Sequence, residues 1–192
     1  MLEECVIIGI SGYKRAGKTT IARYLSSRYG FIPFAFADPL YDGLQAMFGL
    51  NFRDDYWQND KDRIVPGTGR SLRQLLQTLG TEWGQQQLRR DVWVYRAEMR
   101  IRQFLAVMGS ATGWLPCIVL TDVRETAEAE WVRQHGTLIR VSNSRTYKED
   151  DHSSENGIPD ALVDHTIPNE GSIPGLHSYV DALIGVLSTG RP

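Results

Sequence analysis

The sequence predicts an α/β fold with a mostly parallel sheet flanked by helices. Three observations carry that prediction: an unbroken β-branched run at Val6–Ile10, a glycine-rich turn directly after it, and helical stripes that alternate with further short apolar runs. A parallel strand is covered on both faces, so it reads as a continuous hydrophobic run instead of an alternating one. Strands separated by helices then favour right-handed crossovers and a single parallel sheet.

The elements follow in order. Val6–Ile10 is the first strand and Gly12–Gly17 the turn. Thr19–Tyr29 is a helix, with Ile21, Ala22 and Leu25 on one stripe. Phe31–Phe36 is a second strand. Asp38-Pro39 reads as an N-cap with proline at the first helical position, opening a helix through about Met47. Residues 49–70, rich in Gly, Asp, Asn and Pro, read as an irregular loop. Helical spacing resumes near Ser71 with Leu72, Leu75, Leu76 and Leu79, and again at Val92–Val107. Cys117–Thr121 is a buried strand, Thr126–Gln134 a helix and Thr137–Val141 a strand. Ser142–Pro159 is polar and without periodicity. Val163–Ile167 is the last strand and Tyr179–Leu187 the last helix. The helices between Asp38 and Val107 have no strand among them, so residues 38–108 are expected to form a helical insert in one 192-residue domain.

Bulk properties narrow the function. At 192 residues, 42% hydrophobic and 23% charged, the chain can bury one substantial core and is neither disordered nor a coiled coil. A net charge of −2 argues against binding polymeric nucleic acid, so phosphate recognition must come from a local cluster of cations. Cys5 and Cys117 each sit in a buried-strand run and read as reduced core thiols, and no Cys/His spacing suggests zinc. No signal peptide and no run near the roughly 20 apolar residues of a membrane span are visible. The expectation is a cytoplasmic protein. A homodimer is compatible with the sequence, which selects no interface.

Gly12-Tyr13-Lys14-Arg15-Ala16-Gly17-Lys18-Thr19 satisfies G-x-x-x-x-G-K-[ST], between a predicted buried strand and a predicted helix. Glycines at both ends let the backbone turn its N–H groups inward as an anion nest, and the helix that follows points its N-terminus at the anion. Lys18 is then expected at the β- and γ-phosphates of ATP, the Thr19 hydroxyl on Mg²⁺, and Gly12, Lys14, Ala16, Gly17 and Thr20 around the phosphates.

A phosphate loop alone leaves three classes open: a small-molecule kinase, a hydrolysing switch or motor, and a nucleotide-binding regulator without turnover. The N-K-x-D segment of a switch GTPase is missing. A kinase needs cations at the acceptor's phosphate and a lid that excludes water. Arg70 and Arg73 supply the first, and Ser142–Pro159 with Arg145 and Lys148 the second.

Phe36-Ala37-Asp38-Pro39-Leu40, Leu76-Gln77-Thr78-Leu79-Gly80-Thr81-Glu82-Trp83-Gly84, Asp122-Val123-Arg124 and His152-Ser153-Ser154-Glu155 follow one another along the chain. With the late Asp164…Ile167-Pro168-Asn169…Gly171 run, this order resembles the bacteriophage deoxynucleoside-monophosphate kinase family. The resemblance implies a nucleoside-monophosphate-kinase-like P-loop fold and transfer from ATP to a deoxynucleoside monophosphate (dNMP), giving a diphosphate. Kinases of phosphomevalonate or dephospho-coenzyme A share this architecture and are the alternative. Two departures stand out: Glu125-Thr126-Ala127-Glu128-Ala129 replaces the aromatic and Asn-Glu-Ala steps that usually follow Asp-Val-Arg, and Gln85 stands where Arg is common.

Roles follow from chemistry and position. Asp38, at the exit of a strand, would orient the acceptor or a metal-bound water, because a phosphate nucleophile is already anionic and needs no general base. Asp122, ending an apolar run, resembles a Walker-B carboxylate on a metal-bound water. Arg124 is a candidate phosphate contact. Gln77 offers donor and acceptor to a base edge, and Trp83 a stacking face or a core anchor. Arg145 is the expected lid cation at the transferring phosphoryl group.

Overall fold

The computed structural model of the protein describes Leu2 and residues 5–113, 115–144 and 158–189. The chain falls into two compact units, one of residues 1–35 with 101–192 and the other Phe36–Arg100.

The first unit holds a five-stranded sheet in the order β2-β3-β1-β4-β5. Its strands are β1 (Ile7–Ser11), β2 (Ile32–Phe34), β3 (Ile118–Leu120), β4 (Thr137–Ser142) and β5 (His165–Pro168). Every pairing is parallel, with Ile8 opposite both Val119 and Thr137, and Val141 opposite Ile167. All of β1 is buried, which is why it reads as an unbroken apolar run. Ile8 and Ile10 face Ile21 and Leu25 of α1 (Lys18–Tyr29) and Leu176, Val180 and Leu183 of α7 (Ile173–Thr189). Gly9 points to the opposite face, where Val132 of α6 (Thr126–His135) lies against it. The sheet is therefore covered on both sides.

Local chemistry sets the ends of these helices. Gly30, at φ 71°, ends α1 in the left-handed region, with its N–H on Ser26 O and that of Phe31 on Leu25 O. α7 begins six residues before the predicted Tyr179, at Ile173. Ser172 explains the earlier start: its Oγ accepts from Gly175 N at 3.3 Å, and Pro174 is tolerated because first-turn N–H groups have no helical partner. β5 also begins two residues after the predicted Val163, because Asp164 is engaged by Leu138 through both N–H and carboxylate.

The unit Phe36–Arg100 contains α2 (Asp38–Phe48), α3 (Asp55–Gln58), α4 (Leu72–Gln77), a π-helix (Thr78–Leu88) and the start of α5 (Val92–Thr112). Residues 49–70 are mostly turns, as composition suggests, but they hold the short α3 and a buried core. Phe52, Trp57 and Val65 from this stretch form a core with Leu44 and Leu72, and Asp54 caps α3 by accepting from Trp57 N at 3.2 Å. Ile64 and Ser71 bridge antiparallel, and Ser71 with Gln74 makes a reciprocal capping box that starts α4.

The predicted α-helix beyond Gln77 is instead wound as a π-helix through Leu88. Wider winding leaves carbonyls needing partners. Trp93 Nε1 donates to Gly80 O at 2.7 Å, and its ring lies against Gly84, where any Cβ would collide.

If residues 49–70 were a solvated loop, Trp57→Ala would change stability little. Because Trp57 is only 6% exposed within its own core, the substitution is expected to cost about 3–5 kcal/mol, read from urea denaturation.

Candidate active site

The turn after β1 is built to present N–H groups. Ser11, buried, donates its hydroxyl to Ile139 O at 3.0 Å and so fixes the end of the strand. Gly12 has φ 134° and faces the Val141 carbonyl, which a side chain would strike. Arg15 (φ 63°) and Gly17 (φ 113°) also take positive φ. Alternation of left- and right-handed residues is the geometry of an anion nest. Ala16 N closes the inner turn on Tyr13 O at 3.1 Å, and α1 starts at Lys18.

Lys18 Nζ donates to Gly12 O at 2.5 Å and Tyr13 O at 2.8 Å, which folds its ammonium over the loop. Lys14, Arg15 and Thr19 are exposed, Ala16 is buried, and Thr20 is half-buried in the first turn of α1. Asn169, at the end of β5, reaches across to the loop: its Nδ2 donates to Ala16 O at 2.8 Å. Beyond it, Pro168, Asn169, Ser172, Leu176 and Tyr179 line a cleft of about 250 Å³.

β3 delivers Asp122 and Arg124. Val123 N donates to Ile10 O at 3.2 Å, so this turn runs beside the end of β1. Asp122 is half-buried and Arg124 exposed. α6 is capped by Glu125 and Glu128 in a reciprocal box, and not by Asp122. Glu128 Oε2 accepts from Arg124 N at 2.7 Å and Glu125 N at 3.0 Å. Burial, reinforced by the neighbouring Asp122 carboxylate, pushes the Glu128 carboxyl up to about 8.

In the unit Phe36–Arg100, Asp38 is not the N-cap of α2. Ala37 holds that place, and Asp38 and Pro39 lie inside the first turn. The Asp38 side chain turns to Arg53, whose Nη2 lies 3.3 Å from Asp38 Oδ1 and 2.9 Å from Asp38 O. Arg53 also pairs with Asp42 at 2.8 Å, and Arg100 takes the other Asp42 oxygen at 2.5 Å. Arg73 forms a two-point pair with Asp62 at 2.8 and 3.2 Å. Arg70 is exposed at the turn that returns the chain to Ser71. Gln77 ends α4, exposed. Trp83 is 48% exposed on the π-helix, which removes the core-anchor reading and leaves an accessible ring face. The lid expectation, with Arg145, Lys148, His152 and Glu155, lies outside the described residues.

Comparison with known proteins adds the family. The family model for deoxynucleotide monophosphate kinase matches residues 53–180. The chain belongs to the deoxynucleotide monophosphate kinase family. A protein of Acanthamoeba polyphaga mimivirus, provisionally named deoxynucleotide monophosphate kinase, is 29% identical over 78% of this chain and 80% of its own length. The deoxynucleotide monophosphate kinase of Escherichia phage RB69 is 32% identical over 59% of this chain and 45% of its own length. Among solved structures, dephospho-CoA kinase from Campylobacter jejuni superposes with a TM-score of 0.51 at 12% identity, covering 96% of this chain and 98% of that one. The TT1252 protein of Thermus thermophilus gives 0.50 at 19% identity over 95% and 98%. These two likenesses show the P-loop kinase fold. The protein is a nucleotide kinase, and among the described residues no helix is long and apolar enough to cross a membrane.

Sequence reasoning about this kinase passed over Arg53, Asp42 and Arg100, and it gave no role to Glu128 or Asn169, which it met only within family-like runs. Asp42 stands one helical turn after Asp38 and could have been found by that spacing. Glu128, three residues after Glu125, had the spacing of a capping box. The contacts of Arg53 and Asn169 had no local signal, because their partners lie 15 and 153 residues away.

Glu128 generates a pH prediction. Its carboxyl keeps its proton in the folded chain up to about 8, whereas its ordinary value is 4.5. The unfolded chain therefore ionises first, so the stability from the neutral carboxyl is fully present below 4.5 and is lost as pH rises through 8. In metal-free buffer, Glu128→Gln is expected to flatten the fall in urea midpoint across this window. Identical pH slopes in variant and parent would show that Glu128 ionises normally.

Proposed function

We propose that this kinase transfers the γ-phosphoryl group of ATP, with Mg²⁺, to a deoxynucleoside monophosphate, giving a deoxynucleoside diphosphate and ADP. The observation that carries the reading is the nest of residues 12–17 between β1 and α1, with Lys18 folded over it, in a chain of this family. The inward N–H groups and the N-terminus of α1 bind the donor's phosphates. Lys18 exchanges its two loop carbonyls for β- and γ-oxygens, following the charge as it moves. The cleft beside Asn169 takes the donor's base.

The donor set fits a hard cation such as Mg²⁺. Thr19 Oγ1 is accessible at the start of α1, and Asp122 supplies an oxygen for a bound water, while no cluster of carboxylates among the described residues would demand calcium. Mg²⁺ there supplies neutralisation of the β/γ oxygens. Arg124 and Arg145 are assigned to phosphate charge, Arg145 as the closing cation.

On the acceptor side, an anionic phosphate oxygen needs positioning and no general base. Asp38 positions; Arg70 and Arg73 hold the phosphate; Gln77 and the Trp83 ring face meet the base. Arg53 is a further cation within this set, held on Asp38 and Asp42.

Four dNMPs, one ribonucleotide, phosphomevalonate and dephospho-coenzyme A, each with ATP and Mg²⁺, form the deciding panel. ADP release with one or more dNMPs is expected, stopped by EDTA and lost in a folded Lys18→Ala variant. Release only with the other acceptors would move the enzyme to a different substrate class. Near-normal turnover in Lys18→Ala would remove the phosphate-loop assignment.

A further inference from the structure

The phosphate loop is held from outside by one side chain that takes no part in the loop motif. We propose that Asn169 is a positioning residue for the anion nest: its amide fixes the Ala16–Gly17 peptide plane so that the Gly17 N–H faces the bound phosphates. The inference rests on the phosphate-loop reading above.

Four observations support it. Asn169 Nδ2 donates to Ala16 O at 2.8 Å. The peptide is trans, so its carbonyl and N–H point in opposite directions, and holding the Ala16 oxygen outward sends the Gly17 N–H inward. The next plane is held as well, because Gly17 O accepts from Ile21 N at 3.1 Å as the first bond of α1. Gly17 is thus clamped on both sides at φ 113°, a value that a residue with a side chain rarely adopts. Finally, Asn169 is itself anchored, since its N–H donates to Ser142 O at 2.7 Å at the end of β4. The clamp refers the loop to the sheet.

The fit is close. A Cβ on Gly17 would come within 2.5 Å of Asn169 Nδ2. Because Asn169 also lines the cleft beyond the loop, it borders both the phosphates and the space assigned to the base. A residue that only stapled the β5–α7 turn to α1 would affect stability and leave anion affinity unchanged. A residue that aims an N–H must affect affinity for a bare polyphosphate, which has no base or sugar to engage the cleft.

The test measures inorganic tripolyphosphate binding to the full chain by calorimetry, with thermal midpoints and steady-state kinetics on the same samples. Asn169→Ala removes the donor. Asn169→Asp keeps the shape but puts an acceptor against the Ala16 carbonyl, and Asn169→Leu, uncharged and of similar shape, takes the place of the alanine variant if that does not fold. Loss of one charge-assisted contact predicts about tenfold weaker tripolyphosphate binding in Asn169→Ala and a greater loss in Asn169→Asp. KM for ATP should rise in step, and KM for the dNMP should stay within about twofold. Failure of the parent protein to bind tripolyphosphate would overturn the phosphate-loop reading itself. Parental binding with unchanged affinity in Asn169→Ala, whatever its thermal midpoint, would overturn the role of Asn169 and leave that reading intact. Weakening confined to Asn169→Asp would overturn it too, since that result needs only charge repulsion. So would equal rises in both KM values.

Discussion

Parallel pairing of β1 between β3 and β4 is the constraint on which the catalytic unit depends. Because all five strands run the same way, the segments that leave their carboxyl ends collect along one edge of the sheet. Among those segments are the loop of residues 12–17 after β1, the Asp122–Glu125 turn after β3 and Asn169 after β5. None of them touches another because of nearness in sequence. Burial of β1 on both faces adds a second demand: the chain must leave the sheet without leaving a polar group orphaned. Ser11 meets it by donating to Ile139 O, and Gly12 by having no side chain to strike Val141 O.

Charge is handled locally, as a net charge of −2 requires. Three of the cations that the proposed function assigns to substrate already hold partners: Lys18 on two loop carbonyls, Arg53 on Asp38 and Asp42, and Arg73 on Asp62. Under the proposed function, phosphate binding at these three is an exchange of partners. Such groups keep their geometry between turnovers, and the net gain from a new contact is the difference between two charge-assisted bonds. A weak anion gains little from that exchange. A phosphate dianion, with three oxygens and more charge, gains enough to displace a surface carboxylate screened by water.

What could be read from the sequence was what neighbouring residues encode. β1, the loop and α1 form one continuous signal of apolar run, paired glycines and helical stripe, and the structure repeats it within a residue at each end. Boundaries were less legible where a tertiary contact decides them, as at Asp164, which Leu138 engages from the neighbouring strand. Residues 49–70 are mostly turns, as read, yet their core was hidden for a related reason. Their glycines, prolines and acids suggest solvent, while the few apolar residues among them, Phe52, Trp57 and Val65, close a small core with α2 and α4. Asp38 was misplaced as a cap, since its carboxylate answers to Arg53, a partner outside the helix.

The π-helix joins legibility to specificity. Leu79-Gly80-Thr81-Glu82-Trp83-Gly84, part of one of the runs that carry the family resemblance, coincides with the least ordinary backbone in the unit Phe36–Arg100. An α-helix accepts most residues at most positions, so its sequence carries little identity. A π-helix of eleven residues is selective. Here it requires Gly80 to admit Leu40 closely, Gly84 to lie under the Trp93 ring, and an indole N–H to satisfy the Gly80 carbonyl. Periodicity analysis sees only four leucines on a 3.6-residue stripe and continues the α-helix. The wider winding also changes which side chains leave the surface together, and it leaves Thr81, Glu82 and Trp83 exposed in succession. The motif therefore encodes a backbone as well as contacts, and Trp83 stands exposed on it.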